Sequence, residues 1–124
     1  MSAELVAPPH ATMRNEVVLA GRLAAPAEER LLPSGTVLVT FRVIVDRPPP
    51  ARPATPRPPS VDTIDCVAGT APVRRAALGW LAGDVVEVSG ALRRRFWRAG
   101  AGAASRTEVE VTKARRLARA SPGS

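Results

Sequence analysis

Hydrophobic residues occupy every second position between residues 37 and 46, and this is the clearest pattern in the chain. Because successive side chains of a strand point to opposite faces, a period of two predicts a strand with one buried face. Shorter segments rich in Val, Leu and Ile predict four further strands. The five predicted strands cover residues 16–23, 37–46, 61–69, 84–97 and 107–111.

One helix and one hairpin join these strands. Residues 71–81 are rich in Ala and Leu and predict a helix that ends before Gly83, with Trp80 packed into the core near its end. Gly90, in the middle of the fourth strand, predicts a bend or a bulge of the kind that a sharply curved barrel needs. The small residues 100–104 predict a flexible hairpin tip between the fourth and fifth strands.

Proline divides the chain between the second and third strands. Residues 47–60 read RPPPARPATPRPPS, and proline cannot donate to a sheet, so we expect an extended loop there. The length allows one domain. We predict a disordered leader over residues 1–13, a domain over residues 14–117 and a disordered stub over residues 118–124.

The order strand, strand, strand, helix, strand, strand predicts an all-β protein, a five-stranded OB-fold barrel with one short helix between strands 3 and 4. A ferredoxin-like fold needs a second helix, which the pattern does not contain. An SH3-like barrel accommodates the strands but leaves the helix over residues 71–81 unexplained. The OB fold is therefore the expected architecture.

The charge of the chain adds an expectation about its partner. There are 18 Lys and Arg residues against 11 Asp and Glu, which gives a formal net charge of +7, and Lys113 is the only lysine. A guanidinium binds phosphate through two parallel hydrogen bonds and stacks on flat rings. High-GC coding bias explains part of the preference for Arg over Lys, but it does not explain the net charge. A polyanionic partner is therefore expected.

The same composition argues against several functions. With one cysteine, Cys66, and one histidine, His10, the chain has no disulfide framework and no Cys/His zinc cluster, so we expect no metal or cofactor. Asp62 and Asp65 have no nucleophile–base pair or phosphate-binding glycine loop beside them, so we expect no enzyme. No apolar run approaches the ~20 residues that span a bilayer, and no signal peptide is evident. We expect a cytoplasmic protein that does not engage a membrane.

Arginines and an aromatic ring alternate in residues 92–98, which read LRRRFWR. If Leu92 points inward, the period of two places Arg93, Arg95 and Trp97 on the opposite face. Cations along a backbone and a ring on which a base stacks are what single-stranded nucleic acid requires, and such stacking contributes ~1–3 kcal/mol per base whatever the sequence. A Trp that caps the barrel end is the alternative, and Phe96 is open between stacking and packing.

Five further arginines are candidate phosphate ligands. Arg22 and Arg42 lie in predicted strands, where they either line the same outer groove or only solubilise an exposed face. Arg47, Arg52 and Arg57 are spaced along the proline-rich loop, which loses little entropy on binding and can hold them against a phosphate chain. The loop also contains PxxP spacings, so a peptide-recognition role is an alternative.

Taken in order, these segments resemble the bacterial single-stranded DNA-binding protein (SSB) family. The opening strand, RNEVVLAGRL, resembles the family pattern N-x-V-x-L-x-G-x-L, and GDVVEVSGALR is similar to the family segment G-D-x-V-x-V-x-G-x-L-R. The turn at Pro33, Ser34 and Gly35 that leads into the second strand, and the third and last strands, also resemble their counterparts. The resemblance extends over about residues 14–117.

This resemblance implies an OB fold that binds single-stranded DNA without sequence preference, through base stacking and electrostatics. It also implies a homotetramer that acts in DNA replication, recombination or repair. Trp97 falls on a position where the family stacks a base, and residues 47–60 match the long loop between strands 2 and 3 that helps to wrap DNA. The alternative function is an OB-fold module that binds RNA or a protein partner, such as a primosome component.

Three departures from the family pattern shape the expectation, and the first is that aromatic residues make up only 3% of the chain. Other stacking positions of the family hold Pro49, Asp62 and Ala68, whose side chains cannot stack on a base. The chain stops at Ser124 without the family's acidic tip. We therefore expect weaker and more electrostatic binding, no tail-mediated recruitment of replication enzymes, and the role of an accessory paralogue.

Overall fold

Six strands and one helix make up the part of the chain that the structure, a computed structural model, describes: residues 12–53 and 55–121. In chain order the elements are β1 (Val17–Leu23), β2 (Glu28–Leu31), β3 (Val37–Asp46), β4 (Val61–Ala68), α1 (Ala71–Leu78), β5 (Val85–Ala99) and β6 (Gly102–Ala118).

Five of the strands close into a barrel. They follow the order β1-β5-β6-β4-β3, and β3 pairs back with β1 at Leu23↔Val43 and Arg22↔Ile44. The pairing of β4 with β6 is parallel and the other pairings are antiparallel. The helix α1 lies between β4 and β5, which are the third and fourth strands of the barrel. The predicted five-stranded barrel with one short helix is confirmed.

The strand β2 is an addition that the hydrophobic pattern did not predict. All four of its residues, Glu28–Leu31, are exposed. It pairs with the first half of β3, from Glu28↔Thr40 to Leu31↔Val37, while β1 pairs with the second half. A strand with no buried face has no hydrophobic alternation, so its sequence resembles that of a loop.

The barrel interior is filled by alternate residues of its strands, and α1 covers one end. Val39, Phe41 and Val43 of β3 are buried, as their alternation predicts. Trp80 is buried against Phe41, edge to face, with ring centroids 5.5 Å apart, which confirms its predicted place in the core. The remaining core residues are Leu23, Cys66, Ala68, Val73, Ala77, Val86, Val88, Val109 and Val111.

The helix is shorter than the predicted 71–81. Thr70 caps its N-terminus by accepting a hydrogen bond from the Val73 amide at 3.3 Å. It ends at Gly79 in a tighter turn, where the Gly79 amide donates to the Ala76 carbonyl oxygen at 3.0 Å and the Trp80 amide donates to the Ala77 carbonyl oxygen at 3.2 Å. The chain therefore leaves the helix before Trp80.

Beyond the barrel, β5 and β6 continue as a two-stranded arm (residues 93–107). The pairing of β5 with β1 stops at Val17↔Gly90, whereas β5 and β6 stay paired as far as Ala99↔Gly102. The register shifts between Ser89 and Gly90, so the predicted irregularity at Gly90 is present. A Cβ atom there would collide with the Glu110 carbonyl oxygen, which is why only glycine fits. The last strand is much longer than the predicted 107–111.

The predicted stub begins as ordered chain. Ala118 is the last residue of β6, and the Ala120 amide donates to Asp84 Oδ1 at 2.7 Å. A buried carboxylate therefore binds the backbone just after β6. Residues 1–11 of the predicted leader, and residues 122–124, lie outside the described residues. Within the described part, no helix is long and apolar enough to cross a membrane.

Candidate nucleic-acid interface

The arm places three of the candidate residues on one face. Leu92 lies opposite the buried Val109, so the alternation puts Arg93, Arg95 and Trp97 on the other side of β5. Leu92 itself is 48% exposed, because the barrel interior ends at this point of the strand. Its side chain therefore points to the inner side of β5, as predicted, but is not buried. Asn15 fixes the strand here, since its side chain bonds both the amide and the carbonyl group of Leu92 at 2.7 Å.

A third arginine, which the sequence did not single out, completes this surface. Arg106 lies directly opposite Arg95 on β6 and therefore on the same face. Its guanidinium carbon is 5.9 Å from the centroid of the Trp97 ring, within the range of a cation–π interaction. Trp97 is 41% exposed. We call Arg93, Arg95, Trp97 and Arg106 the front face of the arm.

The front face continues into a groove across the barrel. The groove has a volume of about 220 Å³, and Arg30, Arg42 and Arg106 are among its lining residues. Glu28 and Asp65 line it as well, so its charge is mixed. Arg30 was not predicted to belong to the site because its strand, β2, was not predicted. Arg42 is exposed on the outer face of β3, as the alternation of that strand predicts.

Most of the strand arginines that were candidates already bind a carboxylate. Arg93 lies 3.2 Å from Glu110, and Arg95 lies 3.5 Å from Glu108. On the barrel, Arg22 lies 3.3 Å from Asp46. A phosphate that binds these arginines must therefore compete with a carboxylate of the protein itself.

Arg47 has a structural role that the sequence did not indicate. Its guanidinium donates two hydrogen bonds to Asp62, at 2.9 and 2.7 Å, and its amide donates to the Ser60 carbonyl oxygen at 2.8 Å. These bonds hold the two ends of the proline-rich loop together. The hydrogen bonds from Arg47 also lower the pKa of Asp62 below its ordinary value. Arg47 is thus committed to the base of the loop.

The other two loop arginines lie beyond this base. Arg57 lines a concave space of about 640 Å³ together with prolines of the loop, among them Pro49 and Pro53. Arg52 is exposed. In the described residues, neither Arg52 nor Arg57 belongs to an ion pair of the kind that holds Arg47.

The loop and the arm leave the barrel at the same end. Because β4 and β6 are parallel, in the register Cys66↔Val109, the segments that precede them emerge side by side. Those segments are the proline-rich loop, residues 47–60, and the arm, residues 93–107. The topology therefore brings together cations that are about 40 residues apart in sequence, with the front face and the groove nearby.

The described residues contain no group of three or more His, Cys, Asp or Glu side chains that could hold a metal ion. Cys66 is buried, and this burial raises the pKa of its thiol to about 12. A thiol with so high a pKa is a poor nucleophile.

Comparison with known proteins defines the class. Among solved structures, the chain is similar to a Plasmodium falciparum SSB in complex with ssDNA, with a TM-score of 0.70 and 18% sequence identity. The similarity covers 86% of this chain and 96% of that one, and it shows an SSB-like OB fold. A comparison with curated protein sequences finds no match.

The family follows from the sequence model. The model of the "Single-strand binding protein family" matches residues 14–117. This chain therefore belongs to the single-strand binding protein family, and membership implies single-stranded DNA binding without enzymatic activity.

Proposed function

We propose that this protein binds single-stranded DNA without sequence preference, through the front face of the arm and the adjoining groove. The observation that carries the proposal is Trp97, a half-exposed ring with Arg106 beside it, on a strand that also presents Arg93 and Arg95. A base stacks on the ring, and guanidinium groups on the same face contact the flanking phosphates. Neither interaction depends on which base is present.

The carboxylates of the front face make this binding weak and electrostatic. Each phosphate that displaces Glu108 or Glu110 gains one contact and breaks another. Arg52 and Arg57 extend the cationic surface along the proline-rich loop, and Arg42 extends it into the groove. From the family resemblance, we place the protein in the cytoplasm as a homotetramer in DNA replication, recombination or repair, in the role of an accessory paralogue.

The decisive experiment is a fluorescence-anisotropy titration of a labelled oligo-dT with the wild-type protein and with Trp97→Ala, against a duplex competitor. We expect saturable binding that prefers the single strand. The loss of one stacked base costs ~1–3 kcal/mol, so Trp97→Ala should bind about 5- to 150-fold more weakly. Trp97→Phe is the matched control, because it keeps a ring at the same position and should retain most of the affinity.

Three results would contradict the proposal. If duplex and single-stranded DNA compete equally, the binding of oligo-dT reflects only non-specific charge attraction. Stronger competition by RNA of equal length, or no binding at low salt, would favour the alternative of an OB-fold module for RNA or a protein partner. The salt dependence gives a further check, since single-strand binding weakens with a log–log slope of about −0.7 per phosphate neutralised.

A further inference from the structure

The arm has a second face, whose side chains take no part in the DNA-binding surface proposed above. Arg94, Phe96 and Arg98 alternate with the front-face residues and therefore point to the opposite side of β5. Phe96 is 67% exposed, and the Arg94 guanidinium carbon is 5.6 Å from the centroid of its ring. We call these three residues the back face. Like the front face, it presents an exposed ring with an arginine beside it.

The charge of the back face is less compensated than that of the front face. Across the strand pair, Arg94, Phe96 and Arg98 lie opposite Thr107, Ser105 and Ala103, none of which is charged. None of the ion pairs among the described residues involves Arg94 or Arg98, whereas both Arg93 and Arg95 bind a glutamate. Two cations beside an exposed ring, with no facing carboxylate, suit a polyanion that carries flat rings.

The tip of the arm leaves a path between the two faces. Residues 99–104 read AGAGAA, so no side chain there is larger than a methyl group. A two-stranded ribbon is one sheet layer thick, and the spacing between packed layers is about 10 Å. A flexible single strand that extends beyond the segment bound on the front face can therefore pass over the tip, or beside it, and reach the back face.

We propose that the back face is a second contact for the same single strand of DNA, with a base stacked on Phe96 and phosphates bound by Arg94 and Arg98. The strand then passes around the arm. This inference rests on the proposed function, because it takes single-stranded DNA as the ligand. The back face of a second copy of this chain fits the surface poorly, since it would bring two further arginines against Arg94 and Arg98.

The test compares oligo-dT of two lengths in the wild-type protein, Phe96→Ala and Trp97→Ala. One OB fold covers about 4–16 nucleotides, so an oligomer of about 8 reaches one face and one of about 35 reaches both. Trp97→Ala should weaken binding of both lengths. Phe96→Ala should weaken only the long oligomer, by about 5-fold or more, and Phe96→Tyr, which keeps a ring, should not.

A second readout follows the ring directly. In the double variant Phe96→Trp, Trp97→Phe, the introduced indole reports on the back face, while Trp80 stays buried in the core. The long oligomer should quench its fluorescence and the short one should not. Arg94→Gln should also reduce the log–log salt slope by about 0.7 for the long oligomer only, if its phosphate contact is lost.

The outcomes separate this inference from the proposed function. If Trp97→Ala weakens both lengths and Phe96→Ala weakens neither, the back face is not a DNA contact and the front-face proposal stands. If Trp97→Ala weakens neither length, the proposed function itself fails. If Phe96→Ala lowers the molar mass in light scattering and leaves DNA binding unchanged, the back face is a subunit contact and the inference is overturned.

Discussion

Arg93 and Arg95 each face a glutamate of β6, and the two glutamates differ in burial. Glu110 is part of an exposed ion pair, which contributes about 0–1 kcal/mol, so a phosphate displaces it at little cost. Glu108 is only 6% exposed, and a buried carboxylate that loses its cation is left poorly solvated. Arg93 is therefore the more available of the two for DNA, although both lie on the same strand face.

Replacement of Glu110 by Gln should strengthen DNA binding. The variant removes the competitor of Arg93 and keeps the shape of the side chain, so we expect an affinity gain of several-fold, with a salt slope steeper by about 0.7. The measurement is the dissociation constant for oligo-dT as a function of salt concentration.

The matched control is Glu87→Gln, which frees Arg115 from a similar pair, at 3.0 Å, outside the arm. It changes the net charge equally but should leave the salt slope nearly unchanged. Equal gains from both variants would mean that only the total charge matters, and the specific role of Glu110 would be wrong.

At the scale of elements, sequence patterns identify burial better than pairing. The alternation in β3 predicted its buried face because it reflects side-chain packing. Gly90 predicted the irregularity in β5 because it reflects a close approach of two backbones. The strand β2 and the start of β6, residues 102–106, pair through their backbones, and their side chains are exposed on both sides except for the half-buried Ala104. They carry no hydrophobic period, so their strands, and with them Arg30 and Arg106, were not predicted.

The close approach at Gly90 gives a test of the bend from which the arm emerges. Gly90→Ala places a Cβ atom against the Glu110 carbonyl oxygen, so the two strands must separate or shift. Forced repacking of this kind costs about 1–3 kcal/mol of unfolding free energy. Urea denaturation measures it.

Gly102→Ala is the matched control, since a Cβ atom there has no neighbour within 4 Å and the substitution should be close to neutral. A Gly90 variant as stable as the Gly102 variant would show that the strand pair absorbs the extra atom without strain.

For the whole molecule, the site depends on contacts between distant parts of the chain. The sequence predicted the front-face residues of β5, because they share one strand. The sequence suggested Arg47 as a phosphate ligand, because the residues of the loop do not show that Asp62 lies beside Arg47 at the base of the loop. It also could not show that the proline-rich loop and the arm emerge together, which follows from the parallel pairing of β4 and β6.

Asp84 joins more distant segments than any other charged side chain described above. It is fully buried, and its carboxylate accepts hydrogen bonds from the amides of Leu81, at 2.9 Å, and Ala120, at 2.7 Å. Arg116 lies 3.5 Å away, and the Asp84 carbonyl oxygen accepts from the Leu23 amide. One residue thus ties β1, the end of the helix segment and the chain after β6 together, so the molecule should be sensitive to its charge.

Asp84→Asn should lower the melting temperature at neutral pH by several degrees and flatten the loss of stability in acid. Hydrogen bonds from the amides of Leu81 and Ala120 hold the pKa of Asp84 below its ordinary value of 3.8. A depressed pKa in the folded state means that the stabilisation is complete above 3.8 and is lost as the pH falls through the lower, folded value. The wild-type protein and Asp84→Asn should therefore converge in stability below that pH.

Urea midpoints measured from neutral pH down to about 2.5 test this convergence. The control variant is Asp62→Asn, which breaks an exposed ion pair, and its effect on stability should be smaller at every pH. A constant difference between wild type and Asp84→Asn over the whole range would show that the ionised carboxylate is not what holds these segments together.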